Sequence, residues 1–274
     1  MARNPHEGGD GEARAGAEDA GGRGPVKSAE RTVRILQELA RAPYTFTVAQ
    51  LQERTGYPRS SLHALLRTLV DLRWIEPPTP GGGYGIGAQA LLTGTAYLDR
   101  DPALPRAIAC IEAVRDETGF TAHVARLDGG DVVYLATREA AEHHAHSRVG
   151  RYLPAYATAL GKALLAERTA AELDELLPGD ELPPLTERTV RTRAQLEEEL
   201  AGARERGWAV EHGQNVADTV CVGVRVEYRI PATDAISCSV PAHLATGEEV
   251  ERIAAVLVRR AAGLARDLRA GGIR

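Results

Sequence analysis

Gly56 separates two helical segments at a point where the chain has room only for a tight turn. Before it, Thr47 and Gln50 have the spacing of a capping box, which predicts a short helix ahead of the glycine. After it, Pro58 is suited to the first turn of a helix that we expect to run to about Asp71. Two helices joined through a glycine in this way predict a helix-turn-helix.

The flanking sequence extends this motif on both sides. Upstream, apolar residues recur at helical spacing from Val33 to Leu39, after Ser28 as a suitable N-cap. Downstream, residues 74–76 and 84–86 are predicted strands on either side of a turn rich in proline and glycine. The order of three helices and a hairpin is that of a winged helix-turn-helix, whose third helix can enter the major groove of DNA.

The predicted third helix has one apolar stripe and one face of small polar residues. Leu62, Leu66 and Leu69 belong to the stripe, which we expect to be buried. The opposite face fits a major groove about 12 Å wide. We therefore predict that this helix and the hairpin contact DNA through six side chains: Arg59, Ser60, Ser61, His63, Arg67 and Tyr84. The alternative interpretation of the same residues is an ordinary solvated helix face.

The net charge of −5 is unevenly distributed along the chain. Residues 25–86 carry eight basic and five acidic side chains, so this segment has a charge of +3 and the remainder −8. A basic domain attached to an acidic body is compatible with contact to phosphates.

Composition excludes several other classes of protein. Residues 1–24 are rich in glycine, alanine and charge, and are predicted to be a disordered tail. The sequence contains neither a run of eighteen apolar residues nor the apolar core of a signal peptide, so we expect no membrane segment. The three cysteines Cys110, Cys221 and Cys238 are widely spaced and odd in number, which favours a reducing, cytoplasmic setting over a disulfide framework.

The C-terminal two thirds of the chain mix hairpins with helices. Strands are predicted at 120–127 and 131–137, joined by a glycine-rich turn, and a long final helix begins after Thr246. This mixture predicts an α+β fold with an antiparallel sheet and flanking helices. The expected organisation is a tail at 1–24, a winged helix-turn-helix at 25–87, a linker helix at 88–101 and a larger domain at 102–274.

Four stretches of sequence point to a known family. They are KSAER at 27–31, PRSSL at 58–62, LPAYATALGKALLA at 153–166, and RGWA at 206–209 followed by Cys221. Together, and above all through the third, the chain resembles the IclR family of bacterial transcriptional regulators from about residue 25 to residue 269. The high content of glycine, alanine and arginine is typical of an actinobacterial member.

The resemblance implies a regulator of a catabolic or metabolic operon that binds operator DNA as a homodimer, sometimes as a dimer of dimers, without a cofactor. It also implies a GAF- or profilin-like C-terminal domain that binds a small organic acid or aromatic compound. The effector-binding positions carried over from the family are Leu153, Ala159, Leu160, Glu211, Thr219, Cys221, Ser237 and Ser239. Residues two apart on a strand share a face, so Ser237 and Ser239 should converge. The helix start before Gly161 should offer backbone donors to an anion.

The chain departs from the family pattern at three positions. Ala64 stands where many members carry arginine, Gln214 where glutamate is usual, and Arg225 where proline is common. The first removes one possible contact to DNA. The other two change the polarity expected of the effector pocket.

The sequence leaves two alternatives to a regulator. His143, His144 and His146 could form a metal site, but adjacent histidines on a strand point to opposite faces. Cys221 with His212 could form a thiol nucleophile, although nothing in the sequence orients the pair. An enzyme built on these residues, or a winged-helix adaptor that binds protein, therefore remains the alternative, and we expect neither a catalytic residue nor a bound metal.

Overall fold

The computed structural model describes residues 26–41, 44–78, 82–142 and 149–274. The chain divides into two compact units between Thr95 and Ala96. The tail predicted at 1–24 and the histidines at 143, 144 and 146 lie outside the described residues. Among the residues that are described, no helix is both long and apolar enough to cross a membrane.

The N-terminal unit is a winged helix-turn-helix, as predicted. Its helices are α1 (Lys27–Leu39), α2 (Val48–Thr55) and α3 (Arg59–Asp71), and a further helix, α4 (Ala88–Asp99), spans the boundary between the units. Its strands are β1 (Thr45–Phe46), β2 (Ile75–Glu76) and β3 (Tyr84–Ile86), which form an antiparallel sheet in the order β1-β3-β2. Strand β1 was not predicted, because two residues are too few to show a strand period.

Local signals fix the turn between α2 and α3. The Thr47 side chain accepts a hydrogen bond from the backbone of Gln50, whose own side chain accepts one from the backbone of Thr47, so the capping box is complete. Gly56 ends α2 with φ of +68°, a left-handed conformation that glycine adopts at little cost. Leu62 and Leu66 of α3 are fully buried, which confirms the apolar stripe.

The first helix differs from its prediction in its first residue and in the residues that form its buried face. It begins at Lys27 with Val26 in the N-cap position, so Ser28 lies inside the first turn and its carbonyl accepts a hydrogen bond from Thr32. Val33 is exposed, whereas Ile35 is fully buried beside the α3 stripe. The error arises because α1 has more apolar residues than one stripe needs, and tertiary packing selects among them.

The C-terminal unit is built on a six-stranded antiparallel sheet in the order β6-β5-β4-β9-β8-β7. The strands are β4 (Thr121–Asp128), β5 (Asp131–Arg138), β6 (Tyr152–Pro154), β7 (Ala209–His212), β8 (Thr219–Arg225) and β9 (Asp234–Pro241). The helices are α5 (Leu104–Thr118), α6 (Ala159–Leu165), α7 (Ala170–Leu176), α8 (Arg193–Arg206) and α9 (Gly247–Ala270). This is the α+β arrangement that the sequence predicts.

Each face of the six-stranded sheet is covered by helices. Alternate residues of β8, among them Val220 and Val222, join a core with α5 and α9. The opposite face packs against α6, α7 and α8, with Ala235 and Leu160 in its core. Because neighbours along a strand point to opposite faces, every residue that follows a valine of β8 belongs to this second face.

Candidate DNA interface and effector site

The exposed face of α3 carries four of the six predicted DNA contacts. Arg59, Ser60, His63 and Arg67 are all exposed, on the side of the helix away from its buried leucines. Arg59 Nε lies 3.5 Å from His63 Nε2, one turn further along. Within the described part of the chain, neither Arg59 nor Arg67 forms an ion pair with a carboxylate. Their charges therefore remain available to an external anion.

Four of the predicted contacts surround one concavity. A cleft of about 450 Å³ lies between α3 and the hairpin. The residues around it are Ser60, His63, Ala64, Arg67, Val70, Pro77, Pro78 and Tyr84. Tyr84 is thereby placed on the same surface as the helix, although it is distant in sequence. Ala64 lies inside this cleft, where an arginine is common in the family.

Ser61 occupies a different environment from the other predicted contacts. It is half-buried, and its hydroxyl accepts a hydrogen bond of 3.3 Å from Arg31 of α1. The Arg31 guanidinium also lies over the Tyr57 ring, 5.2 Å from its centroid. Arg31 was not among the predicted DNA contacts, and it adds a cation beside the start of α3.

In the C-terminal unit, the cross-strand register aligns four polar residues on the face covered by α6. Glu211 pairs with Cys221, Cys221 with Ser239, and Ser239 with Thr121. Residues directly opposite in antiparallel strands share a face, so this first polar row runs across β7, β8, β9 and β4. Glu211 is 1% exposed and Cys221 is half-buried.

A second polar row lies beside the first. Gly223 pairs with Ser237, Ser237 with His123, and His123 with Thr137, across β8, β9, β4 and β5. The His123 ring bridges the rows, with Nδ1 at 3.1 Å from Thr137 Oγ1 and Nε2 at 3.0 Å from Ser239 Oγ. Sequence reasoning missed His123, Thr121 and Thr137, because they lie on strands that the family resemblance did not mark.

Helix α6 approaches the sheet closely at the second row. A Cβ atom added to Gly223 would lie 2.5 Å from the Ala159 carbonyl oxygen and 2.9 Å from Leu160 N. Only glycine permits this contact. The predicted residues Ala159 and Leu160, both about 1% exposed, are thereby held against the polar rows.

The remaining predicted residues lie further from the rows. Leu153 is buried in the same core, but on edge strand β6, where it pairs with Val132. Thr219 begins β8 and pairs with Pro241 at the end of β9. The structure therefore brings Glu211, Cys221, Ser237, Ser239, Ala159 and Leu160 together, and places Leu153 and Thr219 at the margin.

A buried charge network supports Glu211 from the side of α6. Lys162, which is 1% exposed, donates to a carboxylate oxygen of Glu199 and to Gln214 Oε1 at 2.5 Å. Gln214 Nε2 donates to Glu199 Oε1 at 2.8 Å, and the backbone N–H of Gln214 donates to Glu211 Oε2 at 2.6 Å. Gln214, which differs from the usual glutamate, therefore joins the two carboxylates and the ammonium group.

Burial favours the uncharged forms of the groups in the rows. It lowers the pKa of His123 to about 4, and it raises the pKa of the Cys221 thiol and of the hydroxyl of Tyr134, whose ring contacts His123. Burial also raises the pKa of Glu211, against the opposing effect of the Gln214 N–H and the Lys162 charge. His123 and Cys221 can therefore exchange hydrogen bonds with a ligand in their uncharged forms.

The thiol alternative finds little support in this geometry, whereas the histidines of the metal alternative lie outside the described residues. His212 follows Glu211 on β7 and is exposed, so it faces away from Cys221. A thiol with a raised pKa is a poor nucleophile. The described residues include no cluster of three histidine, cysteine or acidic side chains able to hold a metal ion.

Family models match both units of the chain. The IclR helix-turn-helix domain matches residues 28–78, and the C-terminal domain of the bacterial transcriptional regulator IclR matches residues 95–266. The second match alone covers more than half of the chain.

Curated relatives and solved structures are similar over most of their length. The HTH-type transcriptional regulator XynR of Escherichia coli is 32% identical over 73% of this chain and 80% of its own length. The transcriptional repressor IclR of the same organism is 26% identical over 87% and 88%. An IclR transcriptional regulator from Alicyclobacillus acidocaldarius has a TM-score of 0.76 at 25% identity, covering 89% of this chain and 99% of its own.

One similar structure contains a ligand. An IclR homologue from Microbacterium hydrocarbonoxydans, in complex with 4-hydroxybenzoate, has a TM-score of 0.72 at 25% identity and covers 89% of this chain and 99% of its own. With its winged helix-turn-helix and its six-stranded effector domain, the chain described here belongs to the IclR family of bacterial transcriptional regulators.

Proposed function

We propose that this chain controls a catabolic or metabolic operon by binding double-stranded operator DNA through α3. A small effector bound against the polar rows determines whether the protein releases or retains the DNA. The observation that carries the proposal is the exposed α3 face, where Arg59 and Arg67 are directed to solvent without a carboxylate partner among the described residues. Such side chains contact phosphates and the acceptor atoms of guanine.

The effector site is assigned to the face between the sheet and α6. Glu211, Cys221, Ser237 and Ser239 supply hydrogen-bonding groups, while Leu160 supplies an apolar wall. A small number of polar groups in an apolar setting is typical of a site for a small molecule. The accompanying domain assignment is 25–87 for DNA, 88–101 for the linker and 102–274 for the effector.

The acting form is proposed to be a homodimer, able to pair into a dimer of dimers. Helix α4 buries none of its residues, and Leu91 and Leu92 on it are 69% and 66% exposed. Val33 of α1 is also exposed. Apolar side chains of this size are typical of a surface covered by a second copy of the chain.

The protein is inferred to act as a regulator and not as an enzyme, in the cytoplasm with the DNA it reads. The relatives named above are regulators or repressors. The polar rows contain Cys221 and His123, but burial raises the pKa of Cys221, which disfavours the nucleophilic thiolate, and lowers the pKa of His123 to about 4, which makes it a weak base.

The test is selection of genomic fragments on the purified full chain, followed by gel shifts with the selected fragment. Wild type should bind it, with an affinity that falls at least about tenfold between low and physiological salt, since each phosphate contact contributes roughly −0.9 to the log–log slope. Arg67→Ala should weaken binding. Arg266→Ala, which removes an exposed arginine of the C-terminal unit, is the matched control and should not.

Two results would contradict the DNA-binding assignment. One is the recovery of no fragment above the background of random DNA. The other is an affinity that does not depend on salt or that falls equally in the Arg67 and Arg266 variants.

A further inference from the structure

His123 belongs to the second polar row and its ring reaches Ser239 of the first. It is 1% exposed, and its two ring nitrogens lie at hydrogen-bonding distance from Thr137 on one side and Ser239 on the other. The ring also meets Tyr134 edge to face, with centroids 5.4 Å apart. A buried imidazole held in this way has a fixed position and orientation.

The hydrogen bonds of His123 continue to the effector site. Ser239 Oγ lies 3.0 Å from His123 Nε2 and 3.4 Å from Cys221 Sγ, so Thr137, His123, Ser239 and Cys221 form one chain. An uncharged imidazole has one donor and one acceptor nitrogen, and each hydroxyl can do both. The chain can therefore reverse its direction and present either a donor or an acceptor at Ser239.

Groups expected to bind an anion on this surface are already engaged, beginning with the N–H of Gly161 at the start of α6, which donates to Thr158 Oγ1. Among the described residues next to the rows, Lys162 is occupied by Glu199 and Gln214, and Arg225 by Glu227 at 2.5 Å. Glu211 adds a carboxyl group to the first row itself. A ligand carboxylate would lie near this acid and would have no cation from these two side chains.

We propose that His123 is a specificity-determining residue of the effector site, and that through Ser239 it selects a ligand with an uncharged group that donates and accepts hydrogen bonds, such as a primary amide or a hydroxyl, over a carboxylate. The proposal rests on the effector function proposed above. The edge-to-face contact with Tyr134 and the apolar Leu160 favour an aromatic body for this ligand.

The burial of the site supports this choice of ligand. Burial lowers the pKa of His123 to about 4, so the ring is uncharged at neutral pH, and it raises the pKa values of Cys221 and Glu211. A carboxylate gains most from ionised or multiple N–H donors. Two uncharged hydroxyls and an uncharged imidazole suit an amide better.

The experiment uses two pairs of probes that differ only in charge: benzamide with benzoate, and 4-hydroxybenzamide with 4-hydroxybenzoate. Calorimetry on the full chain should show that wild type binds the amide of at least one pair about tenfold more tightly than its acid. His123→Leu should lose this preference by weakening the amide and not the acid. His123→Gln, which keeps a donor and an acceptor, should retain part of it. His243→Leu replaces an exposed histidine and should behave as wild type.

The role of His123 in specificity and the location of the effector site can fail separately, and the variants distinguish the two. If Ser239→Ala weakens amide binding while both His123 variants keep the wild-type preference, the site stands and His123 does not determine specificity. If amides bind and no variant changes their affinity, the effector site itself is misplaced. Equal or tighter binding of the acids, or no binding of either amide, overturns the proposed ligand class. His123→Gln decides the matter if His123→Leu does not fold.

Discussion

Replacing Gly223 by alanine tests the close approach of α6 to the sheet. The added Cβ would lie 2.5 Å from the Ala159 carbonyl oxygen, 2.6 Å from its carbonyl carbon and 2.9 Å from Leu160 N. All three are backbone atoms, so no rotamer change can relieve the contact. Helix α6 is held in place by the Thr158 side chain, which caps Gly161 N at 3.0 Å. The helix and strand must therefore separate.

The expected cost is in the upper part of the range for overpacking, about 2–3 kcal/mol. For a unit of this size, 1 kcal/mol corresponds to roughly 2–4 °C in the melting temperature, so we expect Gly223→Ala to melt about 4–12 °C below wild type. Binding of small molecules to the polar rows should weaken as well, since Ala159 and Leu160 move with the helix. The assay is thermal unfolding followed by circular dichroism.

Gly263→Ala is the matched control. Gly263 lies inside α9, and a Cβ there would meet only the end of the Arg266 side chain, at 3.9 Å. Alanine is more favourable than glycine in a helix by about 0.5–1 kcal/mol, so this variant should melt at or above the wild-type temperature. If Gly223→Ala is as stable as Gly263→Ala, α6 does not contact the sheet as described.

Three further predictions concern stability. Leu66→Ala, at a fully buried position of α3, should cost roughly 2–5 kcal/mol in thermal or urea unfolding, and a cost under 1 kcal/mol would mean that the stripe is not packed. Burial lowers the pKa of His123 to about 4, so protonation of the ring favours the unfolded chain. The free energy of unfolding that the buried neutral ring contributes is therefore present above about pH 6.5 and is lost as the pH falls toward 4. Urea unfolding at several pH values should show wild type losing up to roughly 3 kcal/mol more than His123→Gln over this interval, and equal losses would contradict the burial of the ring. Lys162→Met should lower the free energy of unfolding by about 1–3 kcal/mol, less than the loss of a fully buried ion pair because Glu199 remains partly exposed. The double variant Lys162→Met with Glu199→Gln should recover part of this loss, and no recovery would show that the two side chains do not interact.

The helices were predictable because their signals are local. Thr47, Thr169, Thr192 and Thr246 each cap a helix through the residue three positions on, and this spacing is visible in the sequence. Gly56 and Gly207 both end helices with positive φ, and a glycine after an apolar periodic segment is a local signal of this kind. The alternation along β9 likewise predicted that Ser237 and Ser239 share a face.

The parts of the site that sequence reasoning missed depend on non-local pairing. His123 joins the rows only because β4 lies between β5 and β9, an order set by the packing of the whole sheet. Lys162 looks like a solvated residue of a short helix, yet it is 1% exposed because α8 and the Gln214 loop cover it. Strands β1 and β6 have two and three residues, too few for a periodic signal.

Family resemblance and structure contribute differently to the effector site. The carried-over positions Cys221 and Ser239 lie side by side, whereas Leu153 lies on the edge strand β6. A family pattern identifies positions one at a time. Which of them meet in a given member depends on the side chains between them, here on His123 and Gln214.

Methylation protection on the selected fragment tests most directly whether α3 contacts DNA in the major groove. Guanine N7 is presented in the major groove and adenine N3 in the minor groove, so a reagent that methylates both reports on each groove separately. We expect protection of guanine N7 in two half-sites about one helical turn or a multiple of it apart, lost in Arg67→Ala. Protection confined to adenine N3, or a footprint unchanged in Arg67→Ala, would contradict the account.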